Sequence, residues 1–243
     1  ESEITKLVLE VLHQKTNGNN DIIKSLNFTL EERSLPEDSY SISMLLNQGL
    51  DDENFLSCCE YIANRGLSLD DYNWHWSAAD GYRDRVLIPF YQDGKIVGYT
   101  GRKITEGKPK YLSNSQNGYV FNIDAQTYDK QFLIVVEGQF DAIAIEGCAI
   151  MTNEPNDIQV ARINSKNKEV IVVPDRDRAG AKLINAAIEN NWSISIPPWE
   201  DKIKDVADAV KEYGKLYTLA TILHYKERGK IKLELQKKKL EKI

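Results

Sequence analysis

FLIVVEGQFDAIAIEGCAI, residues 132–150, and EVIVVPDRDRAG, residues 169–180, are the two stretches whose reading decides the fold. Each carries an apolar run of four or five residues without polar alternation, the pattern of a strand buried on both faces. The runs predict strands over 132–136 and 169–173. Around them the pattern alternates: a helix over 140–147, a strand over 148–152, a helix over 179–190 and a strand over 193–196. Such alternation implies an α/β fold, a mainly parallel sheet flanked by helices on both faces.

In an open sheet of this kind the functional crevice lies beyond the carboxyl ends of the strands, and both runs end there in acids. The first stops at Glu137-Gly138, where glycine permits a close turn, and Asp141 follows four residues after the glutamate. The second, after Pro174, stops at Asp175-Arg176-Asp177. If the strands are neighbours, three or four carboxylates converge. Carboxylates about 4 Å apart repel by about 1 kcal/mol per pair in water and about 4 kcal/mol at an effective dielectric of 20, so such a cluster calls for a cation. Oxygen-only ligands favour Mg2+ or Mn2+, as a pair where phosphoryl chemistry is done. Glu137, Asp175 and Asp177 carry the specific pattern. Asp141, and Asp205 with its neighbour Asp208, are further metal candidates, although each alone is better explained as a helix cap or solvated turn.

The remainder of the composition removes other classes. With 42% hydrophobic residues among 243, the chain reads as globular, and its longest apolar runs fall far short of the roughly 20 residues needed to cross a bilayer. Cys58 and Cys59 are adjacent and Cys148 stands alone, so no zinc spacing and no disulfide framework can be drawn, and a reducing, cytoplasmic compartment fits. His13, His75 and His224 are scattered without partners at ligand spacing. The net charge of −6 sets aside a uniformly basic surface but not a local basic face. The chain opens on Glu1 without a leader-like segment, which reads as a piece of something longer.

Residues 1–80 read as mostly helical. Ile4, Leu7, Val8 and Val11 stand at helical spacing, and Phe55, Cys58, Cys59 and Ile62 share a face within 53–66. From Asp84 the period turns strand-like, and 86–91, Asp93-Gly94 and 95–100 spell a β-hairpin. Between Arg83 and Lys110 lie seven basic residues against three acids, interleaved with Tyr91 and Tyr99 and flanked by Tyr82 and Tyr111. Cations offer phosphate partners and aromatic rings offer stacking faces, each stack worth about 1–3 kcal/mol. An ordinary solvated hairpin would look the same.

The wording of these segments adds to the reading. VVEGQFDAIAI (135–145) and VVPDRDRAG (172–180) resemble the Toprim domain shared by primases, type IA and II topoisomerases and some nucleases. RDRVLIPFYQDGKIVGYTGRKITEGKPKYLSNS (83–115) and YIANRGLSLDDY (61–72) resemble the segment preceding that domain in DnaG-type DNA primases. The resemblance implies a Toprim-type fold and synthesis of short RNA primers from ribonucleoside triphosphates on a single-stranded DNA template. It implies two divalent metal ions on Glu137, Asp175 and Asp177, with Asp141 and Asp205 extending the site. Arg83, Arg85, Arg102, Lys103 and Lys110 are expected to hold template and nucleotide phosphates, and a replicative helicase is an expected partner.

Two departures stand out. Arg176 occupies a place where primases often carry a small residue, and the stretch from 115 to 121 is short, which suggests a phage enzyme. The zinc ribbon that precedes such cores has no counterpart in these cysteines. The expected division is 1–125, a helical and basic-hairpin subdomain of mixed α+β type; 126–212, the Toprim domain; and 213–243, a helical tail. Within 226–243 eight basic and three acidic residues read as a solvated helix or a helicase-docking one. The alternatives are a Toprim nuclease, which would cut nucleic acid without triphosphates, and a non-catalytic module binding single strands or a helicase.

Overall fold

Two five-stranded sheets organise the chain in the computed structural model, which describes residues 29–177 and 180–240. The helix expected through Ile4, Leu7, Val8 and Val11 lies outside the described residues, as does Ile243. The first sheet is antiparallel in chain order: β1 (Ser39–Ser41), β2 (His75–Ser77), β3 (Arg85–Gln92), β4 (Lys95–Lys103) and β5 (Tyr111–Asn114). Asp93 and Gly94, with φ of 51° and 75°, turn the β3–β4 hairpin through the left-handed conformations that a two-residue loop of right-twisted strands requires.

The helical reading of the first 80 residues is corrected in part. Helices α1 (Ile42–Asn47) and α2 (Glu53–Asn64) form, but β1 and β2 pair as strands, Ser39 opposite Ser77. Three-residue strands are too short for a period to show. Helix α2 starts where the Asp52 carboxylate accepts the N–H groups of Asn54 and Phe55, and it buries Phe55, Cys58 and Ile62 on one face.

The second sheet contains β6 (Phe132–Val136), β7 (Cys148–Ala149), β8 (Glu169–Val172), β9 (Ser193–Ser195) and β10 (Lys226–Glu227) in the order β10-β9-β8-β6-β7. All but β10 run parallel; β10, from the expected tail, closes the edge antiparallel to β9. Strand β7 is shorter than expected because Met151 takes a left-handed φ of 61° and donates its N–H to the Glu137 carbonyl. Helices α3 (Gln139–Ile145), α4 (Asp157–Asn164), α5 (Gly180–Glu189), α6 (Val206–Tyr213), α7 (Lys215–His224) and α8 (Lys230–Leu240) complete the fold. The unexpected α4 carries a capping box in which Asn156 and Gln159 satisfy each other's backbone N–H groups.

Alternation along β6 shows why both faces are apolar. Leu133 and Val135 pack with Ile163, Leu183 and Ala187, whereas Ile134 and Val136 pack with Phe140, Ala142 and Ala207. The second of these clusters continues through Phe55 of α2, Trp74 before β2 and Ile88 of β3, so one core joins the two sheets. The cleft between them is where the expected site residues must be sought.

Candidate active site

Strands β6 and β8 are neighbours, Val135 opposite Val172, and their carboxyl ends deliver Glu137 and Asp175 side by side. The Glu137 carboxylate accepts the Asp175 N–H at 3.2 Å. Two glycines allow this crowding. A Cβ on Gly180 would stand 2.3 Å from the Asp175 carbonyl oxygen, and one on Gly138 would stand 2.7 Å from Asp141 Oδ2.

The carboxylates feel one another. Burial first, then Asp177 and Asp141, push Glu137 up to about 7; burial, then Glu137, Asp205 and Asp177, push Asp175 up to about 7. Asp141 is buried and held well above the usual carboxylate range by burial and by Asp205. It accepts the Ala207 N–H at 2.8 Å and is hydrogen-bonded side chain to side chain with Asp205. Asp205 itself caps α6 through the Asp208 N–H at 2.8 Å, and Asp177 turns Oδ1 to the Gly180 N–H at 3.0 Å.

The expected convergence on one point is therefore corrected: among the described residues no three acidic, histidine or cysteine side chains close around an ion. Caps at Gly180 and α6 turn two of the acids aside, and the group lines a rim. The donor set still fits a divalent, oxygen-preferring cation, because carboxylates held up by mutual repulsion are what such a charge relieves. Arg176 fastens this rim. Its guanidinium donates to the carbonyls of Trp199 at 2.8 Å, Glu200 at 3.0 Å and Ile203 at 3.3 Å, tying the Asp-x-Asp loop to the segment that ends in Asp205.

Opposite the rim, a cleft of about 370 Å³ runs between Glu137, Gly138, Gln139 and Asp175 on one wall and Thr100, Tyr111 and Ser113 on the other. The expected basic residues divide across the first sheet, because neighbours on a strand point to opposite faces. Arg102 shares the Thr100 face of β4, two residues beyond the cleft lining, and Lys110 lies near it. Arg102 is nine-tenths buried, its guanidinium 4.8 Å from the Tyr111 ring, with Nε and Nη1 unpartnered. Lys110 lies 5.8 Å from the same ring, and Arg102 nearby pushes its ammonium down, with burial and Arg65 adding. An ammonium depressed by its cationic neighbours, beside a guanidinium with two unpartnered nitrogens, suits an anion.

Arg85 and Lys103 face the other way. Arg85 is buried and donates to the carbonyls of Gly81, Gly101 and Pro109 at 2.9–3.1 Å, a strut that braces the turn before Lys110. Lys103 pairs with Asp84 at 3.1 Å. Arg83 is exposed at the entry to β3 and does not line the cleft, while its carbonyl accepts the Trp76 indole N–H. Of the expected tyrosines Tyr111 alone lines the cleft; Tyr99 bonds the Tyr82 hydroxyl on the far face.

Arg65, at the end of α2, escaped the sequence reading. Its guanidinium stacks 4.6 Å over the Phe140 ring, donates to the Tyr61 hydroxyl and sits within the field of Asp205, Asp141 and Lys110. It bridges the cationic wall and the acidic rim. The signal available was the Arg-Gly pair ending an amphipathic helix, which reads equally as an ordinary cap.

Residues 46–132 match the family model for the N-terminal domain of the DNA primase catalytic core. The chain is 32% identical over 164 residues to the DNA primase of Aquifex aeolicus, covering 55% of this chain and 32% of that one. It spans between 18% and 34% of the first curated relatives it matches. Its fold is similar to the primase catalytic core of E. coli, with a TM-score of 0.59 and 17% identity over 77% of each chain. It is likewise similar to a DnaG primase catalytic domain bound to single-stranded DNA, with a TM-score of 0.58 and 18% identity over 75% of this chain and 79% of that one. Residues 46–132 thus resemble the N-terminal domain of a DNA primase catalytic core, and the chain has the fold of the DnaG catalytic cores.

Proposed function

We propose that this chain is a primase catalytic core that joins ribonucleoside triphosphates on a single-stranded DNA template. The observation that carries the reading is an acidic rim at Glu137 and Asp175 in a cleft whose other wall, Thr100 and Tyr111, lies beside the orphaned guanidinium of Arg102. A triphosphate would satisfy both: its oxygens would meet Arg102, Lys110 and Arg65, beside carboxylates that would hold divalent cations. Glu137, Asp175 and Asp177 would hold Mg2+ or Mn2+, with Asp141 and Asp205 beside them. When bound, such ions lower the pKa of an attacking hydroxyl and stabilise a leaving pyrophosphate. A 3′-oxygen bonds to the α-phosphorus as the bond to the bridging oxygen of the β-phosphate breaks, and the hydroxyl proton passes to solvent. Arg102 and Lys110 orient the triphosphate, and Tyr111, 44% exposed, offers a flat face to a base or sugar.

The likeness to a DnaG primase catalytic domain bound to single-stranded DNA supports the template class, and a helicase partner belongs to the same proposal. Incubation with labelled ribonucleoside triphosphates, Mg2+ and a single-stranded template is expected to yield short RNA that disappears with Asp175→Ala or Glu137→Ala. RNA synthesis unchanged in both folded variants would refute the site. Cleavage of labelled DNA without triphosphates would instead establish the nuclease reading.

A further inference from the structure

Guanidiniums and aromatic rings alternate across α2, α3, β4 and β5. The Arg65 guanidinium lies 4.6 Å from the Phe140 ring and 5.6 Å from the Tyr61 ring, and that of Arg102 lies 5.8 Å from the Tyr61 ring and 4.8 Å from the Tyr111 ring. Tyr61 is the member common to both arginines. It stands on α2, whereas Arg102 belongs to β4 and Tyr111 pairs with it on β5. Arg65 follows Tyr61 by four residues, so the two share a helix face, and Arg65 Nε donates to the Tyr61 hydroxyl at 3.1 Å. One half-buried side chain thus meets one guanidinium with hydroxyl and ring, and a second, from another element, with its ring alone.

That contact explains how Arg102 stays poised. A buried guanidinium with Nε and Nη1 unpartnered is costly, and its free donors favour collapse onto any oxygen within reach. A ring attracts a cation through its quadrupole without consuming an N–H. Tyr61 and Tyr111 therefore steady the charge of Arg102 and leave its donors for an anion. Arg65 and Arg102 also repel each other, and a ring that both contact fixes a separation that repulsion would otherwise widen. Two long side chains held in place before a ligand arrives lose less freedom when it binds.

We propose that Tyr61 is a positioning residue for the triphosphate, acting through Arg65 and Arg102 rather than on the reacting atoms, by holding the two guanidiniums at the separation at which both meet phosphate oxygens. This proposal rests on the triphosphate reading of the cleft and names what aligns the cations within it. The ring does most of this, because it reaches Arg102 across the gap between α2 and β4. The hydroxyl adds the orientation of Arg65 on its own helix.

Equilibrium binding of ATP with Mg2+ to the full chain tests the proposal, with thermal unfolding to verify that each variant folds. Tyr61→Leu removes ring and hydroxyl and is expected to weaken ATP binding about tenfold, the scale of a desolvated contact between ring and cation. Tyr61→Phe keeps the ring and is expected to stay within about threefold of the parent, the scale of one net hydrogen bond. Coupling to Arg102 is the decisive readout. In an Arg102→Ala background the ring has lost the cation it steadies, so Tyr61→Leu is expected to cost about threefold or less there, whereas simple damage to α2 would cost the same in both backgrounds. Tyr61→Met takes the place of Tyr61→Leu in the cycle if the leucine variant unfolds. Equal losses in the two backgrounds, unchanged affinity in the folded Tyr61→Leu chain, or a Tyr61→Phe loss as large as that of Tyr61→Leu overturns the role of Tyr61 and leaves the triphosphate site standing. A parent chain that binds no ATP overturns the triphosphate reading itself, and the role of Tyr61 with it.

Discussion

Raising the pH of the metal-free chain from 5 to 8 is expected to destabilise it, and Mg2+ or Mn2+ is expected to restore what is lost. Glu137 is pushed from its ordinary 4.5 up to about 7 by burial and by its acidic neighbours, and Asp175 behaves alike. Between those values the unfolded chain is ionised while the folded chain still holds the proton, so the folded state binds more protons and stability falls as pH rises. The full loss is present above about 7. A carboxyl displaced this far corresponds to about 3 kcal/mol. Because Glu137 and Asp175 raise each other, their effects are shared rather than summed. For a chain of this size about 3 kcal/mol moves the unfolding midpoint by roughly 6–12 °C. A divalent cation binds the ionised rim, so its stabilisation is expected to be large at pH 8 and small at pH 5. The assay is thermal unfolding across pH with and without metal, repeated on Glu137→Gln, which is expected to flatten the pH dependence and to lose much of the metal effect. A metal-free midpoint independent of pH between 5 and 8, or equal metal stabilisation at both ends, would refute the reasoning.

Two arginines in one segment are expected to respond oppositely. Arg85→Ala strips donors from three backbone carbonyls and is expected to cost about 2–4 kcal/mol in denaturant unfolding, whereas Arg102→Ala is expected to leave stability nearly unchanged and lower ATP affinity at least tenfold in a binding titration. Leu133→Ala, a cavity beneath β6 of the second sheet, is expected to cost about 2–5 kcal/mol by the same unfolding assay. Arg176→Ala releases the Asp-x-Asp loop from residues 199–203 and is expected to weaken the Mg2+-induced stabilisation at pH 8 more than the metal-free stability.

What the sequence made legible, and what it did not, follows from which distances a one-dimensional pattern encodes. Strand β6 and the β3–β4 hairpin were readable because an apolar run and an Asp-Gly pair are local signals, each complete within a few residues. The same locality explains the acids: Glu137 and Asp175 could be placed beside each other because parallel neighbours end at one edge, and β6 and β8 do pair. Strand-count reasoning failed where a face had to be chosen. Seven basic residues in 83–110 look alike along the chain, yet Arg102 and Lys103 are adjacent and point apart, and Arg85 spends its guanidinium on carbonyls contributed by Gly81, Gly101 and Pro109. Arg65 failed for the converse reason. Its significance comes from Phe140, Tyr61 and Asp205, residues separated from one another by up to a whole domain of chain, and no spacing rule joins them. On a finer scale, two backbone N–H groups, of Gly180 and Ala207, compete for oxygens of Asp177 and Asp141 that a cation would need, a detail no sequence pattern carries. That competition is itself informative. Asp177 and Asp141 each bond a helix start through one of two carboxylate oxygens, so a cation drawn to these carboxylates pulls on the seating of α5 and α6.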